Sequence, residues 1–274
     1  MNLCSCAYYK DEALHRIVRI IMTEQAKGVF SAAEYEKDGK HHILLGATGS
    51  VATIKLPLIA RALSTHHERL SIRIVVTPAA AQFLNSQSPE QPALQSLLDL
   101  PGVEGIYVDA DEWSEPWIRG GRILHIELRR WAHLFLIAPL SANSLAKIVG
   151  GMSDGLLTSV VRAWDPGSSA ADANLQVRRR RILVAPAMNT AMWRHPITSK
   201  QIKVLEDEWG SPGALTKTES EETSHEEPRG WFTVLRPISK ELACGDVGDG
   251  AMLEWSELVR SVEQYFSLPL SAEK

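Results

Sequence analysis

The sequence predicts an α/β protein whose core is an open, doubly wound parallel sheet within a single domain. Two observations predict this class. Apolar runs of strand length alternate with amphipathic segments of helix length, an alternation typical of βαβ units. Several of these runs also end in small polar residues directly before the next helix, as loops at the carboxyl edge of a parallel sheet do.

The composition is that of an ordinary globular protein with room for a sizeable core. The chain has 274 residues, of which 45% are hydrophobic and 23% are charged. Its formal net charge of -4 gives no reason to expect nucleic acid as a partner. Three cysteines cannot form a disulfide framework, no apolar run is long enough to cross a bilayer, and the N-terminus lacks the layout of a secretion signal. We therefore expect a cytoplasmic protein.

The domain organisation follows from shifts in composition. Residues 1 to 40 have the character of an N-terminal extension, and residues 41 to 270 carry the domain. Within the domain, residues 166 to 180 are predicted to form a surface insertion. Residues 211 to 230 are rich in glutamate, serine and threonine and poor in hydrophobic residues, so we predict that this insertion is disordered.

The first strand of the domain leads into a glycine-containing turn. Residues 43 to 45 are predicted to form a buried strand, residues 46 to 50 a turn that includes Gly49 and Ser50, and residues 51 to 63 a helix. Such a turn suits a phosphate group, because glycine lets the backbone approach the anion and the helix N-terminus attracts it. The turn is neither a Walker A sequence nor a GxGxxG fingerprint, so a merely tight turn is the alternative.

Hydroxyl and amide side chains follow two further predicted strands. Thr77 comes directly after the strand predicted at residues 71 to 76 and before a helix start. Ser141, Asn143 and Ser144 follow the strand predicted at residues 134 to 138. One such side chain is enough to cap a helix, whereas three together favour a polar ligand.

An acidic run and a lone histidine each have competing interpretations. Three carboxylates within residues 109 to 112 follow a strand predicted at residues 105 to 108. No histidine or cysteine accompanies them at ligand spacing, so we predict a solvated loop rather than a metal site. His125 stands among apolar residues, where a hydrogen-bonded core histidine is the favoured interpretation and a catalytic histidine the alternative.

Two later segments carry an amide and a thiol. The octet from Pro186 to Trp193 lies between a strand predicted at residues 181 to 185 and a helix predicted at residues 197 to 209. Its Asn189 either caps a helix or contacts a ligand. Residues 242 to 250 are predicted to form a mobile or tightly turned glycine-rich loop, whose Cys244 is either reachable by a ligand or an ordinary loop thiol.

Taken in order, five segments resemble those of the flavin-dependent cysteine decarboxylases, and in particular the phosphopantothenoylcysteine decarboxylase family. The resemblance covers residues 42 to 265, and several ordered motifs are far harder to meet by chance than one glycine pattern. The segments are Gly49-Ser50-Val51, His125-Ile126-Glu127-Leu128-Arg129-Arg130-Trp131-Ala132, Ala138-Pro139-Leu140-Ser141-Ala142-Asn143, Pro186-Ala187-Met188-Asn189-Thr190-Ala191-Met192-Trp193 and Ala243-Cys244-Gly245-Asp246.

The resemblance implies a Rossmann-like or flavodoxin-like domain that binds FMN and no metal ion. It also implies a homotrimer with sites between neighbouring subunits, in which His125 and Asn189 come from different chains. The implied reaction converts 4'-phosphopantothenoyl-L-cysteine to 4'-phosphopantetheine on the route to coenzyme A. The substrate thiol is oxidised, carbon dioxide leaves, and the product is reduced again, so no net oxidation occurs.

The resemblance also implies roles for individual residues. His125 is implied to be the catalytic histidine, Asn189 to hold the substrate carboxylate, and Cys244 to donate the proton of the final reduction from a flap. Ala243 and Gly245 are implied to contact the substrate through their backbone. The residues implied to contact FMN are Gly49, Ser50, Val51, Thr77, Ser141, Ala142, Asn143, Ser144 and Ala187.

The chain departs from the family's pattern at a few positions. Gly155 stands where asparagine is usual and Ser144 where threonine is usual, which bears on packing at subunit contacts more than on catalysis. Lys55 is a further candidate near the substrate. A non-catalytic regulatory protein of the phosphatase-inhibitor type, or one subunit of a mixed trimer, is the alternative function for the same fold. A nicotinamide-dependent oxidoreductase would need the fingerprint that residues 46 to 49 lack.

Overall fold

A computed structural model of the chain describes residues 30–167, 180–210, 230–241 and 247–270. Its centre is one sheet whose strands are β1 (His41–Ala47), β2 (Leu70–Val76), β3 (Val103–Tyr107), β4 (Leu134–Leu140), β5 (Arg181–Pro186) and β6 (Phe232–Val234). The strands lie in the order β3-β2-β1-β4-β5-β6, and every neighbouring pair is parallel. This order is that of doubly wound Rossmann sheets, so the predicted fold class is confirmed.

Helices cover both faces of the sheet, and a hairpin lies outside it. The hairpin pairs β7 (Ile238–Glu241) with β8 (Val247–Ala251) in antiparallel fashion. The helices are α1 (Leu56–Ser64), α2 (Pro78–Ala81), α3 (Leu124–Trp131), α4 (Ala142–Val149), α5 (Leu156–Arg162), α6 (Thr190–Arg194), α7 (Pro196–Lys203) and α8 (Trp255–Tyr265). None of the helices described combines the length and the apolarity that crossing a membrane requires.

Two hydrophobic layers hold the sheet between the helices. Successive residues of a strand face opposite sides, so Ile43 and Leu45 of β1 pack with α1 and α8, whereas Leu44 packs with α3, α4 and α5. All residues of β1, β2 and β4 are buried. Since a buried Leu or Ile side chain contributes about 1.5–3 kcal/mol, the central strands are a rigid support for the loops at their ends.

The predicted elements are present with shifted bounds. The helix predicted at residues 51 to 63 begins as a 3-10 turn, Val51–Lys55, and continues as α1. The helix predicted at residues 197 to 209 is α7 followed by a π-helical turn, Val204–Glu208. The prediction of a loop over residues 242 to 250 is wrong at its C-terminal end, because residues 247 to 250 belong to β8, which pairs with β7.

Residues 30 to 35, which the sequence assigns to the extension, pack on the sheet layer. The rings of Phe30 and Tyr35 lie 4.0 and 4.9 Å from the guanidinium carbon of Arg73. The backbone N–H of Ala32 donates to the buried Glu127 carboxylate at 2.8 Å. Residues 1–29 and most of the two predicted insertions, 168–179 and 211–229, lie outside the described residues.

Candidate functional site at the carboxyl edge of the sheet

The loops after β1 and β4 meet at the carboxyl edge of the sheet. β1 pairs with β2 on one side and with β4 on the other, so the strand order reverses direction between β1 and β4. Open α/β sheets bind ligands at such a switch point. Thr48 joins the two loops: its Oγ1 donates to the Pro139 carbonyl at 2.9 Å and accepts from the Ser141 backbone N–H at 2.7 Å. Thr48 is fully buried, so the two loops are held as one unit.

Three helices start at this edge behind a side-chain cap. Thr77 caps α2 and Ser141 caps α4, each accepting from the backbone N–H three residues later at 3.3 Å. Asn189 caps α6 in the same way at 2.8 Å. The remaining N–H groups of a first helical turn have no partner within the helix, so helix starts are favourable places for anionic groups.

Gly49 brings the first turn close to the start of α2. A Cβ at this position would lie only 2.7 Å from the Cβ of Ala79, so a larger residue would push the turn away from that helix. Gly49 is exposed, Ser50 is half-buried, and Val51 is 47% exposed. The turn predicted to bind phosphate therefore presents its backbone and a hydroxyl next to a helix start.

The residues predicted to contact FMN separate into two groups by exposure. Ser141, Ser144 and Ala187 are buried: the two serine hydroxyls lie 3.2 Å apart, and the Ala187 N–H donates to the Leu140 carbonyl at 2.9 Å. The side chains of these three residues therefore lie in the interior, beneath the loops of the edge. The others have accessible surface at the edge: Gly49, Ser50, Val51, Thr77, Ala142 and Asn143.

Asn189 caps a helix and still offers a donor. Its Oδ1 accepts from the Met192 N–H, which assigns the oxygen of the carboxamide to the cap. The Nδ2 group of the same exposed side chain then carries two N–H bonds that this cap does not use. A substrate carboxylate can accept from that group, so the two interpretations of Asn189 are compatible.

The hairpin of β7 and β8 packs on the octet that contains Asn189. The Met188 N–H donates to the Gly250 carbonyl at 3.0 Å, and the Arg194 guanidinium donates to the Asp249 carboxylate at 2.9 Å. This pairing with Arg194 holds the pKa of the Asp249 carboxyl below its usual range. One strand of the hairpin is thereby fixed beside α6.

Cys244 and its neighbours Ala243 and Gly245 lie outside the described residues. In the sequence they connect β7 to β8, whose C-terminal half contacts the octet. Their roles therefore stay predictions.

His125 lies at the start of α3, where Glu112 contacts it twice. His125 Nδ1 and Glu112 Oε1 are 2.7 Å apart, and the His125 backbone N–H donates to Glu112 Oε2 at 3.2 Å. The His125 side chain is 23% accessible, against 5% for Glu112. The histidine is therefore neither a core residue nor free in solvent, since one ring edge is held and part of the ring is exposed.

The prediction of a solvated acidic loop at residues 109 to 112 is wrong. Asp109 accepts from the Leu156 N–H at 2.9 Å, and Asp111 accepts from the Val108 N–H at 2.7 Å. Burial raises the pKa of both carboxyls above the usual range. Glu112 contacts His125, so all three acids are bonded to backbone N–H or imidazole groups. Nothing in the sequence indicated this for Asp109 and Glu112, because their partners lie 47 and 13 residues away; only Asp111 has a local partner.

The chemistry of the edge fits a flavin mononucleotide. The phosphate needs backbone N–H groups at helix starts, which the Gly49 turn, held against α2, and the capped helices supply. The uncharged ring system needs neutral polar partners and close backbone approach, which Ala142 and Asn143 supply at the start of α4.

A parallel Rossmann-order sheet with anion-receptive turns at its switch point defines an α/β protein that binds a phosphorylated cofactor. The sequence pattern of the Flavoprotein family matches residues 31–267. The chain belongs to this family and, within it, to the phosphopantothenoylcysteine decarboxylases and their relatives.

Relatives from plants and animals match over most of their own length. A phosphopantothenoylcysteine decarboxylase of Arabidopsis thaliana is 39% identical over 83% of this chain and 86% of the relative. The Mus musculus protein of that name is 36% identical over 89% of this chain and 96% of the relative. The chain spans only 30% of a Schizosaccharomyces pombe relative named probable thymidylate synthase and 34% of Coenzyme A biosynthesis protein 3 of Saccharomyces cerevisiae.

Two solved structures have the same fold. A mutant PPC decarboxylase complexed with pantothenoylaminoethenethiol is similar with a TM-score of 0.61 and 37% identity, covering 83% of this chain and 99% of that one. The FMN binding protein AtHal3 is similar with a TM-score of 0.60 and 38% identity, covering 83% and 97%.

Proposed function

We propose that this chain is an FMN-dependent carboxy-lyase that converts 4'-phosphopantothenoyl-L-cysteine to 4'-phosphopantetheine in cytoplasmic coenzyme A biosynthesis. The observation that carries the proposal is the arrangement of Asn189. Its oxygen is engaged by the helix cap, its exposed side chain keeps an amide donor that the cap does not use, and the hairpin that leads to Cys244 packs beside it. Relatives named phosphopantothenoylcysteine decarboxylase, 36% to 39% identical over at least 83% of the chain, support the substrate and the reaction.

FMN would be held by the residues that have surface at the edge. Gly49, Ser50 and Thr77 would contact the phosphate, and Ala142 and Asn143 the rest of the cofactor. When bound, FMN supplies reversible two-electron chemistry at the substrate thiol. The similarity to an FMN binding protein supports this cofactor.

The chain's own residues bind the substrate and handle its protons. The Asn189 Nδ2 group donates to the substrate carboxylate and orients the carbon-carbon bond that breaks. His125 accepts a proton at Nε2, since Nδ1 faces Glu112. The Cys244 thiol donates a proton to the product carbon in the last step.

We propose further that the active form is a homotrimer with each site between two subunits. The family resemblance implies that His125 and Asn189 act on one substrate from different chains. Trp113, Trp117 and Ile118 are 65%, 52% and 74% exposed in the loop that leads from Glu112 to His125. Clustered exposed apolar side chains of this size are typical of subunit contacts. Light scattering of the purified protein measures the number of subunits.

The proposed reaction is tested by a visible spectrum and by mass spectrometry of the products. A yellow protein whose substrate loses the mass of carbon dioxide is expected. The Cys244→Ser variant is expected to decarboxylate but to release a dehydrogenated product, because it lacks the final proton donor. Normal 4'-phosphopantetheine at full rate from this variant would contradict the role of Cys244.

The alternative function is that of a subunit in a mixed trimer. A Saccharomyces cerevisiae relative, 32% identical over 83% of this chain, is named a phosphopantothenoylcysteine decarboxylase subunit. A purified protein that binds FMN but leaves the substrate mass unchanged would favour this alternative, and a folded protein that takes up no FMN would contradict the proposed cofactor.

A further inference from the structure

Glu112 is a buried acid that the site motifs do not include, yet it contacts the histidine of the candidate site. We propose that Glu112 is a positioning residue for His125: it selects the imidazole tautomer with the proton on Nδ1 and leaves Nε2 to the substrate. The catalytic part of this inference rests on the proposed function. The tautomer part rests on the geometry alone.

The two contacts determine the direction of the hydrogen bonds. A backbone N–H can only donate, so Glu112 Oε2 is the acceptor from His125 at 3.2 Å. An ionised carboxylate has no proton to give, so its Oε1, 2.7 Å from Nδ1, also accepts. The proton of the imidazole is therefore on Nδ1, and the hydrogen bond of one ring nitrogen sets the state of the other.

The surroundings keep this carboxylate in place. Glu112 follows the 3-10 turn Asp109–Asp111, whose two acids accept from backbone groups of β3's loop and of α5. The side chain is 5% accessible, so water competes little for its oxygens. One carboxylate bonded to both the backbone and the ring of His125 restricts the rotation of the side chain as well as its tautomer.

The direct test is 15N NMR of histidine-labelled full-length protein, with the His125 signal assigned by its loss in the His125→Asn variant. At a pH where the ring is neutral, wild-type protein is expected to carry the proton on Nδ1. In Glu112→Gln, an amide of the same shape, the carboxamide cannot accept at both atoms, and a mixture of tautomers is expected. A wild-type His125 with its proton on Nε2 would overturn the proposal, whatever the variants do.

The kinetic test compares kcat with KM. Glu112→Gln is expected to lower kcat on the order of 10-fold or more with little change in KM or in FMN content, because proton handling rather than binding is impaired. Glu68→Gln removes the same charge from an exposed position just before β2, at the end of the strands opposite to the site, and is expected to match wild type. Wild-type kcat in Glu112→Gln would contradict a catalytic consequence. A wild type without decarboxylation would instead contradict the proposed function and leave the NMR result to decide the tautomer.

Discussion

The buried hydroxyl of Thr48 accepts a hydrogen bond from the backbone N–H of Ser141, 93 residues later in the chain, at 2.7 Å. The same oxygen donates to the Pro139 carbonyl at 2.9 Å, and the Thr48 N–H reaches that carbonyl at 3.1 Å. Because Thr48 follows β1 and Ser141 follows β4, one side chain sets the distance between the two loops that flank the switch point.

We predict that Thr48→Val destabilises the fold and weakens FMN binding together. Valine has nearly the same shape but leaves the buried Ser141 N–H without its acceptor, which costs about 1–3 kcal/mol. Urea unfolding measures the first effect and flavin titration the second. Thr48→Ser keeps the hydroxyl and should lose much less, so equal losses in both variants would assign the effect to packing instead.

We predict that Asn189→Asp separates the two roles of this residue. A carboxylate still accepts from the Met192 N–H and favours a helix start, so the melting temperature should stay close to wild type. The donor to the substrate carboxylate is replaced by a like charge. The kcat/KM is therefore expected to fall by at least about 10- to 100-fold, the equivalent of a lost hydrogen bond to a charged group.

The matched variant Asn189→Ala loses both the helix cap and the hydrogen-bond donor to the substrate. It should lower stability by about 1 kcal/mol as well as activity. Wild-type kcat/KM in Asn189→Asp would show that the amide does not contact the carboxylate.

We predict that Gly248→Ala displaces the hairpin from the octet. A Cβ at this position would clash with the Thr190 Oγ1 and would lie 2.9 Å from its Cγ2 and 3.0 Å from its Cβ, closer than a real Cβ normally approaches. Activity should fall while the sheet stays folded, since the hairpin lies outside it. Thr190→Ala removes the Oγ1 and the Cγ2 and leaves only the Cβ, at 3.0 Å, so the double variant should recover part of the activity, and strictly additive losses would contradict this steric cause.

We predict that the fold loses stability in mild acid through His42. Burial, followed by the charge of His133, lowers the pKa of His42 to about 4, although the hydrogen bond to Asp38 acts in the opposite direction. Since the unfolded pKa is 6.5, the unfolded state binds more protons between these values. Stability is fully present above the unfolded pKa and decreases as the pH falls toward 4, by up to about 3 kcal/mol.

The measurement is urea unfolding at about pH 7.5 and about pH 5, compared between wild type and His42→Asn. The variant should be less stable but should show a smaller dependence on pH. An unaltered pH dependence in His42→Asn would assign the acid effect to other groups, among them His41, whose pKa burial also lowers to about 4.

By itself the sequence determined the fold class and the residue types at the ligand edge. Its apolar runs specify buried strands because their periodicity and β-branched content leave few other stable arrangements, and each polar cap stands next to the strand that it follows. Gly49, Ser141 and Asn189 could be recognised for this reason. Cys244 also comes from the sequence, and its role is untested by the described residues.

Only the tertiary structure decided the contacts between distant segments. Thr48 and Ser141 follow two neighbouring strands, Glu112 and His125 are joined across a loop, and the close approach of Thr190 requires glycine at position 248. The neighbouring sequence does not reveal these pairs, because the two partners meet only when the elements pack together. A buried acid such as Glu112, for example, has the same sequence surroundings as a solvated one until packing brings a donor to it. The prediction for the acidic turn was therefore wrong: Asp109 accepts from an N–H 47 residues away and Glu112 contacts a histidine 13 residues away, and only Asp111 accepts from a local N–H.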